Sequence, residues 1–340
     1  MNSAPASLGS RFLQSRIVWP LAGLALLLVF NFAFDRAFFD LSVRDGNFYG
    51  PMFTVLRLSV KVMLLATGMT LVIATGGVDL SVGSVMAVVG SLVAAQAAQA
   101  HGFPALLAAA AGAALVIGAF NGALVAYVGI QPIVATLIMM VLGRGVAKSI
   151  THSLPVRVDD VGVLFLGRGF IAGVPVPILL VLAVFLLTAL ACRKTAIGLF
   201  VEAVGDNETA SRLSGVNARG IQLLVYGFCA VCAGLAALVS IGDVGRVEPD
   251  RLGQLLELDA ITAVVVGGTV LTGGRFTLGG SLIGALLIQT LTMTLIRQGM
   301  PSDVAPVPKA LVIIGICLLQ SARLRAQFAG LFRGSRRAVS

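Results

Sequence analysis

Residues 71–86 read LVIATGGVDLSVGSVM and hold one carboxylate, Asp79, inside a run otherwise free of charge. An aspartate at the centre of a membrane-spanning helix costs about 2.5–3.5 kcal/mol on an insertion scale, so this one belongs at a helix break, beside water or against a partner. Gly76 and Gly77 permit a sharp exit from the preceding helix. Asp79 or Ser81 can then cap the free N–H groups of a helix that starts near Ser81 or Gly83, where the helix dipole favours an acid. Two readings stay open: a structural cap, and a polar rim on a transport route, since transporters place such groups at broken helices. Asn121, inside GAFNGALVAY, raises the same question, because a buried amide needs either a neighbouring helix or a polar solute as partner. Gly76, Gly77, Asp79, Ser81, Asn121 and Thr136 are therefore the candidate lining of a translocation pathway.

Other chemistry is scarce. No G-x-x-x-x-G-K-[ST] occurs, and none of Lys61, Lys148, Lys194 and Lys309 follows a glycine, so the chain has no P-loop for ATP. The 2 histidines, His101 and His152, form no H-E-x-x-H and no cluster with metal spacing, so neither a metal site nor a cofactor is expected. No serine lies beside a recognisable base, and no catalytic residue is assigned. Cys229 and Cys232 make a C-x-x-C, which within an apolar helix reads as small packing residues ahead of a redox pair. Arg57 and Lys61 share one helical face near a span end, where long side chains usually snorkel to the interface.

The elements that position these groups follow from composition. Hydrophobic residues make up 58% and charged residues 11%, with mean hydropathy +1.00, against about 25% charged in ordinary soluble domains. The expected fold is all-α, a polytopic membrane bundle of about ten transmembrane helices broken by glycine-rich segments, with apolar runs near 17–34, 52–75, 83–100, 103–128, 131–150, 176–192, 221–241, 259–272, 277–296 and 308–321. The permease domain covers 17–322, between basic tails at 1–16 and 323–340. The net charge of +9 collects in acid-free clusters at both ends, so the termini read as cytoplasmic and the charge as facing membrane lipid, with no nucleic-acid partner. Residues 151–175 and 242–258 are then external loops, the first with room for a short surface helix, and 193–220 is an internal loop with an amphipathic stretch suited to docking. Gly118/Gly122 and Gly280/Gly284 form G-x-x-x-G pairs for close helix packing. A second glycine-rich break at 264–280 has the texture of the first and hints at duplicated halves.

The stretches GMTLVIATGGVDLSVGSVMA (68–87), NGALVAYVGIQPIVATLIMMVLGRGVA (121–147) and FVEAVGDNETASRLSGVN (200–217) resemble the permease subunits of ribose-type sugar importers of the ATP-binding-cassette class, with galactofuranose permeases the nearest likeness. The resemblance implies a bacterial inner-membrane subunit that carries a monosaccharide by alternating access. It implies as partners a cytoplasmic ATPase, a periplasmic sugar-binding protein and a second permease subunit, a related chain ahead of a second copy. The loop within 193–220 then resembles the family's coupling segment, with Glu202, Ala203, Gly205, Asn207, Glu208, Ala210, Arg212, Leu213 and Gly215 at matching positions. Phe200, Val204 and Leu213 are expected to be its buried face, Gly205 its bend at the ATPase groove, and Asp206 a stiffening or recharging departure from the glycine of many relatives. The alternative is a secondary transporter driven by an ion gradient, with Asp79 as its coupling acid.

Overall fold

The computed structural model describes residues 17–301 and 304–320, so both basic tails lie outside the described residues. Along the chain run α1 (Val18–Phe34), β1 (Ser42–Arg44), β2 (Asn47–Tyr49), α2 (Pro51–Ala74), α3 (Val82–Ala98), α4 (Phe103–Ala123) with a π turn over Leu124–Val128, α5 (Pro132–Thr151), β3 (Val156–Arg157) and α6 (Val161–Arg168). They are followed by β4 (Phe170–Ile171), β5 (Val174–Pro175), α7 (Val176–Lys194), α8 (Ile197–Asp206), α9 (Glu208–Leu213), α10 (Ala218–Val244), β6 (Arg246–Val247), α11 (Leu256–Val266), α12 (Leu278–Arg297) and α13 (Pro306–Gln320). The strands form only short two-stranded ribbons, β1 with β2, β3 with β6 and β4 with β5.

Each of the expected apolar runs carries a helix, but the helices are unequal. Among the described residues six are long and apolar enough to cross a bilayer: α2, α4 with its π turn, α5, α7, α10 and α12. α1, α3 and α13 are shorter apolar helices, and α11 has only 11 residues. The polytopic helical bundle is therefore as expected, and the count of about ten spans is not confirmed among the described residues. Glycine corners bound the two short helices α3 and α11: Gly76 at φ +81° before α3, and Gly268, Gly273 and Gly274 at +93°, +88° and +85° after α11.

Burial sorts the bundle. In their most apolar stretches α2 is 78% buried and α10 72%, whereas α4, α5 and α7 are 22–28% buried, so the first two form the core and the others turn broad apolar faces outward. α10 packs on α2, α3, α4 and α6, and α12 packs on α2 and α11. Both G-x-x-x-G pairs lie at close crossings, as expected. A Cβ on Gly118 would come within 2.8 Å of Gly227 Cα, and one on Gly122 within 2.9 Å of Leu223 Cα, both on α10. Gly280 and Gly284 press on Gly267 and on Ala263 of α11. Cys229 and Cys232 are free and buried, with Cys229 against Gly68 of α2, which is the packing role.

Two loops pack back on the bundle. α6 is the short helix expected in 151–175, with Val161 and Phe165 exposed on one face; Asp160 caps it, accepting from Val163 N at 2.9 Å, and Gly167 docks directly on Gly242 of α10. Residues 245–255 also fold inward. Arg144 on α5 donates to the carbonyls of Pro249 and Leu252, and Gly253 lies against Gly83 at the start of α3. Arg57 and Lys61 do not extend into solvent alone, since both reach Asp243 at 3.6 Å.

These contacts leave no space for side chains. Gly284→Leu should cost about 1–3 kcal/mol through overpacking against the Ala263 backbone. It should lower the thermal unfolding midpoint of the purified protein, whereas Gly145→Leu, with nothing within 4 Å of its added Cβ, should leave the midpoint in place.

Candidate functional site

The break between α2 and α3 is built from its own glycines and finished by four neighbouring helices. Past Ala74 the chain tightens, with Gly76 N donating to Ile73 O at 2.9 Å and Gly77 N to Val72 O at 3.1 Å. Residues 78 and 79 then run into the bundle without regular structure and 80–81 turn into α3, and Asp79, Ser81, Asn121 and Thr136 are all 0% exposed. Asp79 Oδ1 accepts from Ser81 N at 2.9 Å and from Ser81 Oγ at 2.6 Å. Asn121 Nδ2 on α4 donates to Ser81 Oγ at 2.8 Å, and Thr136 Oγ1 on α5, which donates to Pro132 O of its own helix at 2.9 Å, lies 3.3 Å from Val78 O. Ser84 Oγ donates to Ser81 O at 2.8 Å and lies 3.2 Å from Met139 O.

The geometry differs in detail from a helix cap. No side chain caps α3, and Asp79 instead closes an Asx turn on the amide of Ser81, the residue just before the helix. The reason is the short Asp79–Ser81 spacing, which lets the carboxylate satisfy Ser81 before it can reach further along the helix. Asp79 Oδ2, Asn121 Oδ1 and the hydroxyl of Tyr226, from α10, are buried without a hydrogen-bond partner. A Cβ on Gly77 would approach the Tyr226 hydroxyl to 2.5 Å, so that hydroxyl faces the break.

The second candidate group forms α8 and α9. Asn207 joins them and caps α9, accepting from Ala210 N at 2.9 Å. Glu208 and Arg212 pair at 3.8 Å across one turn, and Gln222 on α10 donates to Glu208 at 3.2 Å. Ala203 and Glu202 are half-buried on α8, and Gly215, at φ +86°, turns the chain toward α10. Val201 and Val204 are buried, as the amphipathic pattern requires, and Phe200 is half-buried. Leu213 is the correction, being 86% exposed at the tip of α9. α9 is too short, at 6 residues, to lay that position back on the bundle.

Gly205 also makes a close contact within this chain. A Cβ there would overlap the carbonyl oxygen of Ala74 and reach 2.5 Å from Gly274 N, so the close approach is to this chain's own α2 end. Gly274 N donates to Ala74 O at 2.9 Å, and a Cβ on Gly273 would come within 3.1 Å of Gly76 Cα. The candidate residues thus form two groups joined at one glycine contact: the buried break, and α8–α9 leaning on its entrance. Sequence reasoning missed Gln222 and Tyr226, and it singled out the 264–280 break without placing its Gly273–Gly274 corner against α2. The repeated tripeptides Thr75-Gly76-Gly77 and Thr272-Gly273-Gly274 were the available signal for the last.

Asp79→Asn retains an oxygen for the Ser81 amide and should fold and reach the membrane near wild-type level, whereas Asp79→Leu orphans a buried N–H at a cost of about 1–3 kcal/mol. Membrane yield and sugar uptake measured together check this. An Asp79→Asn protein that folds but transports nothing would show that the charge itself is required.

Comparison with known proteins adds the family. Residues 52–321 match the family described as branched-chain amino acid transport system / permease component. A fructose import permease protein of Bifidobacterium longum is 40% identical, over 95% of this chain and 92% of its own length. The galactofuranose transporter permease protein of Escherichia coli is 40% identical over 95% of each chain, and the ribose import permease protein of the same species 39% identical over 80% of this chain and 87% of its own. No solved structure matches. With a family match over most of its length and relatives that are ribose-type sugar permeases, the chain belongs to the branched-chain amino acid transport system / permease component family.

Proposed function

We propose that the chain is the membrane subunit of a bacterial sugar importer of the ATP-binding-cassette class, energised by a separate cytoplasmic ATPase and fed by a periplasmic sugar-binding protein. The observation that carries the reading is the family match over residues 52–321 together with three sugar permeases as relatives. The same match favours ATP-driven import over the ion-gradient alternative. The cargo is a monosaccharide; galactofuranose, fructose and ribose, named for the relatives, can each close as a five-membered ring. Catalysis belongs to the ATPase, and this subunit contributes a change of shape in which the sugar's affinity differs between outward and inward openings.

α8 and α9 are the coupling segment in this proposal. Leu213, exposed at the tip with Arg212 beside it, offers an apolar knob and a charge to a groove on the ATPase. Gly205 carries the push into the bundle, because its backbone rests on Ala74 and Gly274. Gly76, Gly77, Asp79, Ser81, Asn121 and Thr136 then form the element that moves or lines the route. The bundle pairs with a second permease subunit, and its orientation places both termini and Asn207 in the cytoplasm, with Asp159 and Asp250 in the periplasm.

Leu213→Glu should leave yield and membrane insertion unchanged, since the side chain makes little use of its own fold. It should abolish stimulation of ATP hydrolysis by loaded binding protein or release the ATPase on purification, and full sugar-stimulated hydrolysis in this variant would remove α9 from the coupling role. Orientation is checked by single cysteines at 159, 207 and 250 in a cysteine-free background. An impermeant reagent added to the periplasmic side should label 159 and 250 and spare 207.

A further inference from the structure

A cavity of about 550 Å³ lies between the α2–α3 break and the coupling segment, lined among others by Gly76, Gly77, Tyr127, Glu208, Arg212 and Gln222. Its walls come from four places: the break, the π turn ending α4, Glu208 and Arg212 of short α9, and the first turns of α10. The chemistry of the lining is that of saccharide recognition. A sugar presents vicinal hydroxyls, each both donor and acceptor, and C–H faces that pack on aromatic rings. Glu208, Arg212 and Gln222 supply planar donors and acceptors, already aligned by the 3.2 Å Gln222–Glu208 bond and the 3.8 Å Glu208–Arg212 pair. Tyr127 supplies a ring, 56% exposed, held by Arg219 of α10 stacked 5.7 Å over its centroid. Tyr226, also on the wall, has a buried hydroxyl with no partner.

We infer that this cavity is a monosaccharide site at the coupling-segment end of the permease, whose occupancy restrains the ATPase. Glu208 and Arg212 belong at once to the cavity wall and to α9, so a sugar bonded to them and to α10 ties the coupling segment to the bundle. A segment held in this way resists the displacement that ATP binding must impose, and hydrolysis slows as sugar accumulates on the receiving side. By linkage, ATP-driven movement of α9 also weakens the site and releases the sugar. The inference rests on the importer reading and adds to it a product-side site with a regulatory consequence.

The test uses the complete complex with its ATPase in nanodiscs, where both faces are open, and D-ribose, D-fructose and D-galactofuranose as probes. Each sugar is added without binding protein and ATP hydrolysis is followed, and stimulation by sugar-loaded binding protein is measured separately on the same preparation. The sugar that stimulates through the binding protein should, when added alone, inhibit basal hydrolysis saturably. Gln222→Leu and Tyr127→Ala should each raise the half-inhibitory concentration roughly tenfold, the effect of about one good contact. Tyr127 is largely exposed, so its variant keeps the fold even where a change at buried Gln222 does not. Glu208 and Arg212 are left intact because altering them disturbs coupling itself. A complex that loaded binding protein stimulates but free sugar never inhibits overturns the inference and leaves the importer reading standing. Inhibition that neither variant shifts removes it from this cavity, and a complex that no loaded binding protein stimulates defeats the importer reading on which the inference rests.

Discussion

Between α8 and the end of α2 there is no room for a side chain. Gly205 lies on the Ala74 carbonyl, Gly274 donates to that same carbonyl, and Gly273 lies on Gly76, so three separate parts of the chain meet through backbone alone. A break inside an apolar bundle exposes peptide groups that cost several kcal/mol each if left unpaired, and this junction pairs them. It also fixes where α3 can start, and through Ser81 it fixes the position of Asp79 and its link to Asn121. The rest of the bundle is arranged around that corner: α10 supplies the floor with Tyr226 and Cys229, while α4 and α5 supply the polar atoms that close it.

Packed interiors transmit displacement instead of absorbing it, because a backbone-to-backbone contact has no flexible side chain to yield. On the proposed function, this is how a push on α9 reaches a buried carboxylate without any ligand passing between them. α8 is the lever, its Val201 and Val204 anchored in the core and its far end carrying the exposed Leu213 on α9. The Gly205 contact is the fulcrum, and the 75–81 segment the part that responds. The irregular backbone at 78–80, held by side-chain hydrogen bonds ahead of the helical ladder of α3, is the natural place for two arrangements of similar free energy.

Much of this was legible in the sequence, for physical reasons that differ by element. Long Leu- and Val-rich runs can only be helices in hydrocarbon, so the bundle was readable, and two glycines ahead of a lone acid marked a break in it. The G-x-x-x-G crossings were equally plain, because small residues one turn apart have little other use on an apolar helix. Three things were not legible. Whether 259–272 spans fully depends on where Gly268 and its neighbours turn, which hydropathy averages away. Whether Leu213 is buried depends on the direction in which a six-residue helix leaves α8, set by the Asn207 cap and not by periodicity. Gly205 read as a hinge for a partner because its true neighbours, Ala74 and Gly274, are distant in sequence. The same remoteness hid Gln222 and Tyr226.

The central claim is that α8–α9 and the α2–α3 break move as one unit. Hydrogen exchange followed by mass spectrometry on the assembled complex, with the ATPase nucleotide-free and then trapped with ATP, measures it directly. The account predicts that ATP changes exchange together in peptides covering 197–213 and 72–81, with 272–277 following and α7 unchanged. A change confined to 197–213, with the break exchanging identically in both states, would contradict it.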